Sequence, residues 1–346
     1  MTHHLAIIGA GNISETHMRA ALELPNVKIE AVCGLDAERV SRLADSVGAT
    51  GYTDYDECLR HEPLTMVLLG TPSGLHARQG RAAAKRGLHV LAEKPLDINT
   101  AEIDSLLAEA DHAGVRLGVF FQDRTSPDLR WLKRLIDAGE LGTPVLASAH
   151  VKWYRPPEYF VGTGWRATWA LDGGGALMNQ GVHTLDLLLW LFGDVARVSG
   201  RIATRLQKIE VEDTAVATLE FVNGALGTLE ATTAAYPGYS RRIELTGSQG
   251  TVIIESDKII AVDLRSPPSE ARPESEGSKN ASASTATVSD ASGHRRVLES
   301  FLHAVETGSE PSCDGREGRR SVALAEAIYR SAKSGESVLL DGAGAV

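Results

Sequence analysis

The segment GGGALMNQGVHTLD (residues 173–186) brings Asn179, His183 and Asp186 close together in the chain. A histidine exchanges protons near neutral pH, and an amide or carboxylate beside it can orient the ring. With a helix starting near Gly175, Asn179 and His183 form an i,i+4 pair on one face, with Asp186 a turn further on. Glycine is a poor helix former, so three in succession imply a need for backbone freedom or for room. The same spacing also describes a surface histidine with a polar neighbour. A second candidate is Lys94 in LAEKPL (91–96). Pro95 keeps Lys94 out of helical geometry and permits a cis bond. A surface salt bridge from Glu93 is the plain alternative for those residues.

These side chains need elements to hold them. Short apolar runs LAIIG (5–9), IEAVC (29–33), MVLLG (66–70), HVLA (89–92) and RLGVFF (116–121) alternate with helical patterns. Unbroken apolar strands imply burial on both faces, which predicts a doubly wound parallel sheet over residues 1–121 (α/β). IIGAGNIS (7–14) follows the first run and opens a helix. That context makes G-x-G-x-x-S a dinucleotide cradle: Gly9 for the tight turn, Gly11 for close approach of a pyrophosphate, and the helix start at Asn12 and Ile13 to hold it. Ser14 replaces the third glycine and can serve as an N-cap. Near the end of the second strand the closest carboxylate is Asp36, Leu35 supplies no positive charge, and Arg39 is within reach of a 2′-phosphate. NAD is favoured there over NADP. Lys94 falls at the C-terminal end of a strand, where ligands bind in open parallel sheets.

Residues 122–346 read as an α+β domain with an open, mostly antiparallel sheet. The helical DLRWLKRLIDAGELG leads into the strand pattern PVLASAHVKWY, and further strands follow the glycine-rich helix. Asn223-Gly224 predicts a type I′ hairpin and GSQG a second turn. Residues 266–294, rich in Ser, Ala and Pro, are expected to form a mobile surface loop. Two helices ending in glycine close the chain, with Arg316, Arg319 and Arg320 on a solvated face.

The chain has 346 residues and a net charge of −10, enough length for two domains and no basic footprint for nucleic acid or an anionic membrane. The apolar run LLLWLF (187–192) is far too short to span a bilayer. Three separated cysteines with no CxxC and no Cys/His cluster argue against a bound metal and for a reducing, cytoplasmic setting.

Taken together, GAGNIS, TPSGLH (71–76), AEKP, the segment 164–193, LTGSQGTVIIE and DGREGRRSVALAEAIYRSAKSGESVLL resemble the Gfo/Idh/MocA oxidoreductases over nearly the whole chain. The resemblance implies that Lys94 and His183 face each other across a nicotinamide and flank the reacting hydroxyl. It also implies that Thr71, Pro72 and His76 line the nicotinamide side, with Glu93 orienting Lys94 or the ribose. Many members carry aspartate where this chain has Asn179. Without that carboxylate, His183 is expected to titrate lower and to act as a neutral base.

Hydride transfer at a carbinol needs an acceptor, a base and a donor to the oxygen. These roles go to nicotinamide, His183 and Lys94, with a swap of the two side chains as the alternative. Gln122, Arg124, Lys152, Tyr154, Arg155, Tyr159, Trp165, Arg166 and Asp172, with Asn179 and His183, are the candidates for holding a sugar, polyol or sugar derivative. A redox-neutral glycosidase or epimerase of the same family and a catalytically silent nucleotide sensor are the competing readings. The open sheet is expected to be covered by a second copy, in a homodimer or homotetramer.

Overall fold

The computed structural model describes residues 1–162, 164–273 and 290–340. The chain forms two compact units, Met1–Gln122 with Thr287–Arg319, and Asp123–Ala286 with Arg320–Val346. The sequence reading divides the chain once, at 121/122.

The first unit begins β1 (His3–Ile8), α1 (Asn12–Leu22), β2 (Val27–Cys33), α2 (Ala37–Val47), β3 (Thr50–Tyr52), α3 (Tyr55–Cys58), β4 (Met66–Leu69) and α4 (His76–Ala84). It continues through β5 (His89–Ala92), α5 (Thr100–Ala113) and β6 (Leu117–Val119). The strands order 3-2-1-4-5-6, all parallel, so the expected doubly wound sheet is present. Its reversal point lies between β1 and β4, the place where such sheets take a ligand. Leu5, Ile7, Met66, Leu68 and Leu91 form the core. The helices stop and start on local chemistry: Asp36 caps α2 through the Arg39 amide, and Asn99 caps α5 through the amides of Ala101 and Glu102. The short edge strand β3 carries no apolar run and had no signal in the sequence.

The second unit holds α6 (Pro127–Asp137), β7 (Pro144–Lys152), α7 (Val182–Phe192), β8 (Val195–Ala203), β9 (Thr214–Phe221), β10 (Leu226–Thr232), β11 (Arg242–Gly247), β12 (Gly250–Glu255) and β13 (Lys258–Leu264). Toward the C-terminus come α8 (Ser292–Thr307, first unit), α9 (Gly315–Ser334) and β14 (Val338–Leu339). The eight-stranded sheet orders 13-12-11-7-10-9-8-14 and is antiparallel except for β7–β10. One face is core: Ala147, Ala149, Val151, Leu229, Ala231, Ile243 and Leu245 are buried. Leu146, Val216 and Leu226, on strands of the same sheet, are exposed.

Two local expectations change. The β9–β10 hairpin exists, but only Gly224 has positive φ (85°), and its amide bonds Phe221 O at 3.0 Å. A type I′ turn needs positive φ at both central residues, so this is a type I turn closed by a left-handed glycine. The arginines of α9 are paired rather than merely solvated: Arg316 with Asp111, Arg319 with Asp104, Arg320 with Asp194. Of the expected mobile loop, residues 274–289 lie outside the described residues. Its first part runs beside α6, where Glu270 receives Arg134 and Asp128 receives Arg272.

Candidate active site

At the end of β1 the chain turns with Gly9 at φ 116°, and a Cβ there would stand 2.6 Å from Gly70 O. Only glycine fits that crossing of two strand ends. Gly11 is the N-cap of α1 and makes no side-chain cap, while a Cβ on it would meet nothing within 4 Å. The backbone therefore presents an open side beside the first-turn amides of Asn12 and Ile13, which have no acceptor within the helix. This suits a pyrophosphate. Ser14, small enough for close helix–strand packing, is buried inside the first turn with its Oγ in the narrow space between Gly9 and Gly70, and the N-cap is Gly11. Asp36 is taken up by its cap and by Arg39, whose Nε lies 3.4 Å from Oδ2.

The loops after β4 and β5 are tied together. His76 is fully buried, with Nε2 2.9 Å from Thr71 O and Nδ1 2.9 Å from Pro95 O. Thr71 Oγ1 donates to Gln79 Oε1 at 2.5 Å. The resemblance placed His76 on the nicotinamide side, and its ring nitrogens are in fact directed at protein carbonyls. The Lys94–Pro95 bond is cis. Glu93 accepts from His17 Nε2 at 2.9 Å, stands 3.3 Å from His294 Nε2, and accepts the Lys94 amide at 3.2 Å. Burial alone would push the Glu93 carboxyl up, but the two imidazoles hold it well below the usual carboxylate range. Burial lowers the pKa of His17 despite that carboxylate.

In the second unit the helix carrying His183 is not α-helical throughout. Ala176–Gly181 forms a π-helical turn before α7, so Asn179 and His183 straddle a π/α junction rather than forming an α-helical i,i+4 pair. The glycines ahead of it provide room. A Cβ on Gly174 (φ 153°) would stand 2.0 Å from Tyr329 Oη, and one on Gly175 would stand 2.1 Å from Glu212 O. Glu212 occupies that space as the cap of the turn, accepting the amides of Gly175 (3.0 Å) and Leu177 (2.8 Å) and the Tyr329 hydroxyl (2.9 Å). Burial raises its pKa, with those donors pulling the other way.

His183 does have a carboxylate neighbour. Asp123 Oδ2 lies 3.4 Å from His183 Nδ1 and also takes Arg241 Nη1 at 2.8 Å. The charge beside His183 thus comes from far upstream in the sequence rather than from position 179. Asn179 instead donates to Asp172 Oδ1 and accepts from Gln180 Nε2 at 2.6 Å. Asp186, grouped with the histidine by spacing, is buried and accepts from Arg124 Nε and Nη2, one edge of the guanidinium, at 2.8 and 2.6 Å.

The substrate candidates separate accordingly. Arg124 and Asp172 are buried and engaged as described. Arg155 donates to Gln180 Oε1 at 2.7 Å, and its guanidinium and that of Arg166 lie over the Tyr159 ring at 5.6 and 4.7 Å. Trp165 underlies Arg166 at 5.2 Å. Tyr154 meets Tyr236 edge-on, and Lys152 pairs with Glu230. Gln122 ends the first unit. Nothing in the sequence singles out His17, Asp123, Glu212, Arg241 or His294. None sits in a motif, and only folding gives them their partners. Among the described residues, His17, Glu93 and His294 are the group whose donor atoms could suit a metal ion.

Comparison with known proteins identifies the family. Residues 3–121 match the family model of an oxidoreductase family with an NAD-binding Rossmann fold, and residues 129–253 match the GFO/IDH/MocA C-terminal domain. The chain is similar to the WlbA dehydrogenase of Bordetella pertussis, solved with NADH and UDP-GlcNAcA. That match has 31% identity and a TM-score of 0.88, over 98% of this chain and 99% of that one. It is also similar to D-xylose 1-dehydrogenase (NADP(+)) 2 of Haloferax volcanii (29% identity, 97% of this chain, 99% of that protein) and to myo-inositol 2-dehydrogenase of Thermotoga maritima (24%, 97% and 98%).

Proposed function

The chain belongs to the GFO/IDH/MocA oxidoreductase family, and we propose that it interconverts a secondary hydroxyl and a ketone on a sugar, polyol or sugar derivative, using NAD or NADP. When bound, the nicotinamide supplies the hydride acceptor or donor. Gly9, Gly11, Asn12 and Ile13 cradle the pyrophosphate, with Thr71, Pro72, His76 and Glu93 around the adjoining loops. In the oxidative direction His183 takes the hydroxyl proton, and Lys94 hydrogen-bonds the oxygen as charge develops on it. Asn179 keeps Asp172 and Gln180 in register beside the histidine.

The observation that carries this reading is the hold on His183: its Nδ1 faces Asp123 at 3.4 Å, with Arg241 on the same carboxylate oxygen. A carboxylate beside Nδ1 leaves Nε2 as the ring nitrogen available for proton transfer.

NAD is the favoured dinucleotide, because Asp36 heads α2 and the exposed Leu35 offers no charge to a 2′-phosphate. A substrate bearing a carboxylate or phosphate fits Arg155 and Arg166 about Tyr159, and UDP-GlcNAcA in the WlbA complex is of that kind. A second copy covers the exposed face that carries Leu146 and Leu226, giving a homodimer or homotetramer. None of the three cysteines is in a disulfide, in keeping with the cytoplasm. No helix among the described residues is long and apolar enough to cross a membrane.

The test is nicotinamide absorbance with NAD or NADP against sugars, polyols, sugar acids and nucleotide-linked uronic acids. A change with one compound, lost in Lys94→Ala and His183→Ala, supports the assignment. Product formed at constant absorbance overturns net redox and returns the redox-neutral alternative.

A further inference from the structure

Two buried imidazoles of the first unit converge on one buried carboxylate. His17 comes from α1, Glu93 follows β5, and His294 lies in the first turn of α8; they are 0%, 7% and 2% exposed. Both imidazole Nε2 atoms address Glu93 Oε1, at 2.9 and 3.3 Å, while Oε2 accepts the Lys94 amide at 3.2 Å. His17 Nδ1 is buried and has no hydrogen-bond partner among the described residues. A proton there would be a buried, unsatisfied donor, so the ring carries its proton on Nε2 and donates it to Glu93. Phe120 stacks on His17 at 4.5 Å and 16°, which fixes the ring plane. Beyond Lys94, the next carbonyl, Pro95 O, is held by His76.

We propose that His17 and His294 are positioning residues for Lys94: by sharing Glu93 Oε1 they lock the carboxylate whose other oxygen holds the Lys94 amide. The inference rests on the role given to Lys94 above. The terminal torsion of a glutamate is broad, so a carboxylate with one oxygen bound remains free to swing. Two donors on Oε1 remove that freedom and leave Oε2 fixed against the backbone from which the ammonium projects. A divalent metal is the other chemistry such a trio serves. Separations of 2.9 and 3.3 Å to a single shared oxygen are those of N–H···O bonds or near to them, which favours the lock.

The lock is tested first without substrate, by amide hydrogen exchange at Lys94 in the full-length protein. His294→Leu is expected to speed exchange there by about tenfold or more, and His294→Gln, which keeps an N–H donor, to restore protection. With the carbohydrate identified by the absorbance panel, His294→Leu is expected to lower kcat about ten- to a hundredfold. KM should stay within about twofold, and the glutamine variant should recover most of the rate. If the leucine variant fails to fold, Glu93→Gln serves instead, with the same expected acceleration of exchange. Unchanged protection at Lys94 overturns the lock and leaves the role of Lys94 standing. A fully active Lys94→Ala enzyme overturns that role, whatever the exchange shows. One equivalent of bound metal in the purified protein, lost in His294→Leu, overturns the lock in favour of a metal centre.

Discussion

Asp123 and His183 are separated in sequence by the whole of α6, by β7 and by the π turn, yet Oδ2 and Nδ1 lie 3.4 Å apart. Arg241 competes for the same oxygen at 2.8 Å. The imidazole is therefore set by a balance between one anion and one cation. An anion favours imidazolium and a cation opposes it. Asp123→Asn is expected to move the acidic limb of the pH dependence of kcat/KM to lower pH, and Arg241→Gln to move it higher. Identical profiles in the two variants would exclude His183 as the group behind the limb.

Asn179→Asp is expected to act on stability before it acts on catalysis. Asn179 donates to Asp172, which also accepts the Ala167 amide at 2.8 Å. A second carboxylate there faces a buried one, and one of the two must take up a proton. Thermal unfolding should show a loss of about 1–3 kcal/mol at pH 8, smaller at pH 5.

Two glycines with opposite surroundings give a paired test. Gly175→Ala drives a methyl to within 2.1 Å of Glu212 O, backbone that cannot step aside, and is expected to cost about 2 kcal/mol or more. Gly11→Ala meets nothing, so its Tm should hold while the Kd for dinucleotide rises about tenfold. Equal Tm losses in the two variants would contradict these separate roles.

Acid should destabilise the protein through buried neutral histidines. Burial holds the pKa of His17 and of His89 below the usual 6.5. Below that pH the unfolded chain binds protons that the folded chain does not, so stability falls as pH drops from about 6.5. For His17 the slope reaches about 1.4 kcal/mol per pH unit until the folded pKa is passed. His89 Nδ1 accepts the Arg116 amide at 2.9 Å, and His89→Asn keeps an acceptor that does not titrate. Scanning Tm between pH 8 and 5 should show a shallower fall in that variant.

The sequence by itself determined the parallel sheet, the glycine turn at Gly9 that leads into α1, and the position of Lys94 beyond β5. Each is written in local terms: unbroken apolar runs, glycine where backbones cross, proline after lysine. The tertiary structure alone decided what surrounds those residues. Gly174 and Gly175 are required by Tyr329 and Glu212, which stand far away in the chain. The carboxylate at His183 is Asp123 rather than residue 179, and Glu93 is gripped by one histidine from each end of its unit. A π turn inside a helical pattern leaves no mark on hydrophobic periodicity. Long-range hydrogen bonds leave none either, because a lone polar residue reads the same whether its partner is water or a buried charge. Propensity and periodicity act over a few residues, whereas the partners of a buried polar group are set by the way the elements pack.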